Sequence, residues 1–457
     1  MLVLMLDGTV LNLAIPSLIR ELDATPSDIQ WILDAYVLVF AGLLLTAGSL
    51  SDRFGRRKML VAGLGIFGLA SAGAVLASAP WQVVAARVAM GVGGSLLMPS
   101  TLSILMTTFA EDERRKAMAA WSTVSMLGIV AGPTLGGFLL DHYWWGSVFL
   151  LNIPVAAIAI AAAFAWMPES HGERRPVDLV GVLLSIAALT STVYVIIERE
   201  WNLPVIAAAA AAWLGFVWWE RRSTHPMLPL GVFRNRDFTG TCATLLLMVF
   251  GMGAVMLMLT QYLQFVLDYG PMKAGLALLP YAVAAAVCNG LGASLGKKVS
   301  NKTLIVAGLL VMAGAFAILA IASGYSTVLV SMLVMGVGGG LAGPAAYASI
   351  MNAIPLEHAG VGSALNDTLQ QVGMAVSIAT LGSVLAGVYT AHMPGSAPAA
   401  ARESIGSAIG LGWAEPAKDA FTAAMSTGSW ISAAFSLAAA LLGLLLLRTA
   451  PPREQPE

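Results

Sequence analysis

The sequence predicts an all-α polytopic membrane protein, two parallel bundles of six spans with a two-span insertion, and three observations carry that expectation. The 457 residues are 58% hydrophobic and 11% charged, with a mean hydropathy of +0.81, whereas soluble domains are about 25% charged. Apolar runs of roughly 20 residues, long enough to cross a bilayer as helix, recur along the whole chain. The sequence also repeats itself 245 positions apart: residues 90–106 read MGVGGSLLMPSTLSILM and residues 335–351 read MGVGGGLAGPAAYASIM. Met90, Gly91, Val92, Gly93, Gly94, Leu96, Pro99 and Met106 have identical partners, and the same offset maps Val61–Leu64 onto Val306–Leu309, Tyr36 onto Tyr281 and Gly128 onto Gly373. Two similar halves of a membrane-embedded chain are the mark of a transporter whose site lies at the repeat interface.

Fourteen spans follow from the apolar runs, at about 1–19, 29–50, 59–79, 82–108, 117–140, 147–167, 179–197, 203–219, 238–262, 273–295, 303–322, 326–352, 363–388 and 427–447. Only six residues precede Asp7, so the first span reads as shortened at its start. The basic residues orient the set. Segments after the even-numbered spans hold 18 lysines and arginines, those on the opposite side 5, and Arg87 lies within a span. Both termini are therefore expected in the cytoplasm. Repeat partners are eight spans apart, an even number, so the halves run in the same direction. The expected domains are an N-terminal bundle over 1–167, an inserted pair over 179–219 and a C-terminal bundle over 238–447, with an extracytoplasmic loop over 389–426.

Composition also excludes classes. A net charge of −1 offers no basicity for nucleic acid. Cys242 and Cys288 lie singly in apolar runs, and the five histidines form no ligand spacing, so no metal site and no cofactor are expected. No cleavable signal peptide is read at the start. A membrane enzyme would need a His/Asp/Glu cluster or a Ser/Lys pair at one depth, which the spans lack. A sensor or scaffold on a transporter core would show decayed motifs, and the strings below are intact.

Charges inside spans are costly and mark function. Asp7 sits in Leu6-Asp7-Gly8-Thr9-Val10-Leu11-Asn12, and a carboxylate there is suited to binding and releasing a proton. Asp34 and Arg87 lie at similar depths in spans 2 and 4, so they are expected to pair with each other, either as a static lock or as part of proton transfer. Between spans 2 and 3 stands Gly48-Ser49-Leu50-Ser51-Asp52-Arg53-Phe54-Gly55-Arg56-Arg57-Lys58, an acid at a helix end followed by glycine and cations. It reads as a positive-inside turn or as an ion-pair gate. In span 5, Gly128, Gly132 and Gly136 share one helical face that a neighbouring helix can approach closely, beside Pro133 and Gly137. In span 13, Asn366 with Gln370 and Asp367 with Gln371 form two polar stripes one turn apart, for a substrate or for a helix end. Tyr36, Tyr281 and Tyr347 are the aromatics best placed to touch a substrate, while the tryptophans near span ends read as interfacial anchors.

These strings resemble a known family. The loop over 48–58 is similar to the signature loop of the major facilitator superfamily, and Arg87-x-x-x-Gly91-x-Gly93-Gly94 resembles its fourth-span motif, in which the arginine is tied to proton transfer. Gly128-x-x-x-Gly132-Pro133-x-x-Gly136-Gly137 resembles the string that distinguishes proton-coupled exporters from importers. The segment around Asp7 resembles the first span of the fourteen-span drug:proton antiporters. Span 13 resembles that of quaternary-ammonium exporters, with Gln371 where some of them carry a second acid. The resemblance implies alternating access, with Asp7, Asp34 and Arg87 coupling protons. It implies Asp367, with Asn366 and Gln371, at the substrate, where Tyr36 and Tyr281 are expected from their placement, and Gly48, Asp52, Arg53, Gly55 and Arg56 at the cytoplasmic gate. The expected partners are a small molecule, protons and the lipid bilayer. The protein is expected as a monomer in a bacterial plasma membrane, exporting amphipathic cations or, alternatively, a single endogenous metabolite or antibiotic.

Overall fold

The computed structural model describes residues 1–108, 124, 127–128, 131–171, 178–198, 202–224, 235–296, 298–353 and 359–447. Among them, thirteen helical stretches are long and apolar enough to cross a membrane, and they fall on thirteen of the fourteen expected spans. The start of the fifth expected span lies outside the described residues. The chain divides into two compact units, Met1–Pro229 and Leu230–Glu457.

In the first unit, α1 (Leu2–Glu21), α2 (Pro26–Phe54), α3 (Arg56–Val75) and α4 (Pro80–Thr108) are followed by α5 (131–142), the short α6 (Ser147–Leu150) and α7 (Asn152–Trp166). Helices α8 (Leu179–Ile197) and α9 (Leu203–Arg222) complete it. Local chemistry sets the ends. Thr25 and Asp28 form a reciprocal capping box across Pro26 at the start of α2, and Asn202 caps α9 ahead of Pro204. Helix α1 is 72% buried along its apolar window and α9 only 17%, which places α1 at the centre and α9 outside. Helix α8 packs on α2, where Gly42 leaves room for Ile186.

In the second unit, α10 (Arg236–Gly253), α11 (Val255–Gln261) and a π-helical turn at Tyr262–Val266 form the ninth span. Then come α12 (Pro271–Leu295), α13 (Asn301–Ala320), α14 (Tyr325–Ala353), α15 (Ala359–His392), α16 (Ala399–Glu403), α17 (Ile405–Gly410) and α18 (Ala414–Leu446). The connection expected as a loop over 389–426 is largely helical. Three charges, Glu415, Lys418 and Asp419, lower the hydropathy of the start of α18, yet Ala417, Ala420, Phe421 and Ala424 recur at helical spacing and are buried.

The repeat holds down to single atoms. A side chain added to Gly91 would meet the Tyr36 carbonyl, Val39 and the Phe40 amide, and one added to Gly336 would meet the Tyr281 carbonyl, Ala284 and the Ala285 amide. Gly93 lies against the Gly63 carbonyl and Phe67, and Gly338 against the Gly308 carbonyl and Met312. Every pair is 245 positions apart. Water is absent from a bilayer core, so helix association there rests on close packing, and glycine permits near backbone contact. The packing of α2 and α3 on α4 is thus reproduced by α12 and α13 on α14.

Candidate functional site

The buried charges of the first unit meet at one point. Asp7, on α1, is 4% exposed and Arg87, on α4, is 2% exposed; Asp7 Oδ2 lies 2.5 Å from Arg87 Nη1. Arg87 Nε donates to the Ile32 carbonyl of α2 at 3.1 Å, and its guanidinium lies over the Tyr36 ring at 4.1 Å. The other carboxylate oxygen, Asp7 Oδ1, accepts from Asn152 Nδ2 of α7 at 3.0 Å, and the same amide reaches Ser71 Oγ of α3 at 3.3 Å. Five helices are joined through one carboxylate. A buried ion pair repays its desolvation only when further hydrogen bonds satisfy both ions, and here a carbonyl, a ring face and an amide do so. The planar guanidinium suits this role because it donates in several directions and stacks on an aromatic ring.

The expected pairing of Asp34 with Arg87 is not formed; Arg87 takes Asp7 instead. Asp34 is fully buried, and neither of its carboxylate oxygens has a hydrogen-bond partner among the described residues. Direction around α2 decides the contact. Ile32 and Tyr36 are four residues apart on one face, and Asp34, two residues from each, is rotated by about 200° from Ile32.

The glycine face of span 5 packs on the helix that carries Asp7. A side chain on Gly128 would meet Met5, one on Gly132 would meet Thr9, and one on Gly136 would meet Val10. Thr9, two residues past Asp7, turns its hydroxyl back to the Met5 and Leu6 carbonyls. Pro133 and Gly137 are buried beside this seam.

At the α2–α3 turn, Asp52 Oδ1 accepts from Arg56 Nε at 3.0 Å and Nη2 at 2.8 Å. Gly55 adopts φ +108°, a conformation that favours glycine, and a side chain there would strike the Glu169 carboxylate. The segment after α7 closes over the turn: Arg57 N donates to Glu169 Oε1 at 3.0 Å, Arg57 Nη1 to the Met167 carbonyl at 3.0 Å, and Arg56 N to the Ser170 carbonyl at 2.9 Å. Gly48 approaches Pro99, and near it the Ser51 and Ser100 hydroxyls lie 3.0 Å apart. Arg53 is exposed, its guanidinium 5.4 Å from the Phe54 ring centroid.

Tyr36, expected at a substrate, is buried beneath Arg87 with Phe67 edge-on to it. Tyr281, its repeat partner, directs its hydroxyl to Met252 Sδ at 3.7 Å, and Met252 occupies the repeat position of Asp7. In α15, Asn366 Nδ2 donates to Asp367 Oδ1 at 3.0 Å; Asn366 is buried, whereas Asp367 and Gln371 are partly exposed. Tyr347 is exposed. Asn152, Ser71, Glu169 and Ser170 were not singled out from sequence. The signal for Asn152 was present, as a lone amide at the head of a wholly apolar run.

The sequence matches the profile of the Major Facilitator Superfamily over residues 1–378. The chain belongs to this superfamily. It is a multi-pass membrane transporter and not an enzyme. It is 32% identical to the multidrug efflux pump LfrA of Mycolicibacterium smegmatis, over 98% of this chain and 92% of that protein. It is 35% identical to the methylenomycin A resistance protein of Streptomyces coelicolor, over 83% of this chain and 82% of that protein. Its fold is similar to that of a bacterial homolog of the human lysosomal transporter Spinster, with a TM-score of 0.69 at 17% identity over 98% and 95% of the two chains.

Proposed function

We propose that this chain is a proton-coupled efflux transporter that exports amphipathic cations by alternating access between its two six-span bundles. The observation that carries the reading is the buried knot on Asp7: a carboxylate held by a cation it can release, on the helix that the glycine seam of span 5 grips. Asp7 takes up a proton from outside. The neutral acid no longer holds Arg87, and the contacts from α1 to α2 and α4 are free to rearrange. Asp34, buried on α2 beyond the face that Arg87 touches, tunes that exchange. Asp367, steadied by Asn366, supplies a negative site for the cation arriving from the cytoplasm. Uptake of the proton and of the substrate exclude each other, which drives export.

The direction of transport is supported by the name of the LfrA relative and by the glycine string over 128–137. The distribution of basic residues supports cytoplasmic termini, which puts the Asp52–Arg56 turn on the cytoplasmic side as a gate. The protein then acts as a monomer in a bacterial plasma membrane, with the α8–α9 pair an insertion between the bundles. Asp7→Asn is expected to abolish tetraphenylphosphonium efflux driven by a pH gradient in proteoliposomes, at undiminished expression. Full transport by that variant would sink the assignment. The resistance protein of Streptomyces coelicolor, named for one antibiotic, favours a second reading, a dedicated exporter. Growth of a sensitised host on dyes, antiseptics and antibiotics separates the two: protection against several unrelated cations supports the first, and protection against a single compound the second.

A further inference from the structure

Arg87 and Asn152 hold the two oxygens of Asp7 differently. A guanidinium only donates hydrogen bonds, so it serves the ionised carboxylate and has nothing to offer the neutral acid's hydroxyl. A carboxamide carries two donors and one acceptor, and it can present either edge. In the described state Asn152 uses both N–H groups, one on Asp7 Oδ1 and one on Ser71 Oγ. It is 1% exposed, and Ser71 is fully buried. The Ser71 hydroxyl is equally able to accept from the amide or to donate to it.

We propose that Asn152, steadied by Ser71, is a positioning residue for proton exchange at Asp7, satisfying the carboxyl group in both of its charge states. With Asp7 ionised, Asn152 donates to Oδ1 as observed. When a proton adds to Oδ1 the O–H becomes a donor, Oδ2 is left a neutral acceptor so that Arg87, its charge intact, is no longer held by an opposite charge, and the amide turns over so that its carbonyl accepts from Asp7. The Ser71 hydroxyl then rotates to donate to that same carbonyl. One proton is gained by Asp7, and no other group changes its charge. Without Asn152, the neutral acid would be buried with its new donor unmatched, a cost comparable to a lost hydrogen bond. The other titratable group that a neighbouring helix brings towards Asp7 is Tyr36 on α2, beneath Arg87; Asp34, buried on the same helix, lies off that face. Helices α6 and α7 carry none, and α5 carries only Asp141 and His142, beyond Gly136.

This inference rests on Asp7 being the coupling acid, and the experiment separates the two. Purified full-length protein in proteoliposomes is assayed with tetraphenylphosphonium in two modes: efflux driven by a pH gradient, and counterflow at equal pH, which needs no net proton transfer. Asn152→Leu, similar in volume but without donor or acceptor, is expected to slow the proton-driven mode about tenfold or more, with counterflow within about twofold of wild type. Asn152→Ser, which regains a group that both donates and accepts, is expected to recover part of the loss. Equal loss in both modes would reduce Asn152 to a structural role, and an undiminished proton-driven rate would overturn the proposal. Proton-driven transport surviving in Asp7→Asn would remove the underlying reading instead.

Discussion

In the first unit the meeting point of α1, α2, α3 and α4 is ionic; in the second, the same point of the repeat carries no charge. Asp7, Arg87 and Ser71 stand opposite Met252, Met332 and Phe316, and Met332 and Phe316 are fully buried. The contacts of Gly91 and Gly93 agree with those of Gly336 and Gly338 down to the backbone atoms touched. The scaffold therefore does not require the ion pair, since one copy forms the same helix packing without it.

A second difference lies two residues further along. In the first unit Thr9 supplies the hydroxyl that bonds the Met5 carbonyl, and Gly132 across the seam makes room for it. In the second, Ala254 replaces Thr9, and Ser377 replaces Gly132. Ser377 Oγ donates to the Phe250 carbonyl at 2.6 Å and accepts from Ala254 N at 3.1 Å. The hydroxyl arrives from the opposite helix and inserts into the ladder of the ninth span, and α10 ends at Gly253. In the first unit α1 runs unbroken through the equivalent residues. Insertion of a side chain into the i→i−4 ladder is a sufficient cause for a helix break.

Transplanting residues between the units tests both differences. The largest effect is expected for Arg87→Met, which copies Met332 and leaves Asp7 buried without its cation. Loss of one partner of a buried pair costs about 3–5 kcal/mol, read as a lower thermal midpoint of the monodisperse protein. Adding Asp7→Met is expected to recover most of that stability while proton-driven transport stays abolished. If the double variant stayed as unstable as the single one, the ion pair would be part of the scaffold. Next in size is Gly132→Ser, whose side chain meets Thr9 and costs about 1–3 kcal/mol by overpacking. Thr9→Ala in the same chain is expected to restore stability to within about 1 kcal/mol, and additive losses would break the parallel between the two seams. The smallest effect is expected for Ser377→Gly. It removes the inserted hydroxyl at a cost of about 1 kcal/mol and allows the Ala254 amide to bond the Phe250 carbonyl directly. Slower hydrogen exchange at Ala254 is the readout, and unchanged exchange would separate the helix break from the serine.

Much of this was legible before any coordinates. Apolar runs of bilayer length fixed thirteen described spans because, without water, a backbone crossing lipid must satisfy its own hydrogen bonds as helix. The constant offset between Gly91 and Gly336 foretold equivalent packing, because only small side chains fit where backbones touch. The reach of α18 back to Ala414 was not legible, since its charges masked an amphipathic face. Glu169 was not legible either, because nothing in Met167-Pro168-Glu169-Ser170 announces that it will cover a turn more than a hundred residues earlier.

Sequence by itself determined the class of the protein, the places of the thirteen described spans, the repeat, and which residues carry charge into the membrane. A buried charge is expensive wherever it points, so its presence alone is informative. Which charges meet was decided only by the tertiary structure. Depth along a helix follows from residue count, but a contact also needs the rotation of each helix about its axis and the spacing between axes, and both are set by packing across the whole unit. That is why Arg87 was recognised as important from the chain alone, while its partner, Asp7 rather than Asp34, and the amide of Asn152 beside it emerged only when five helices were in place.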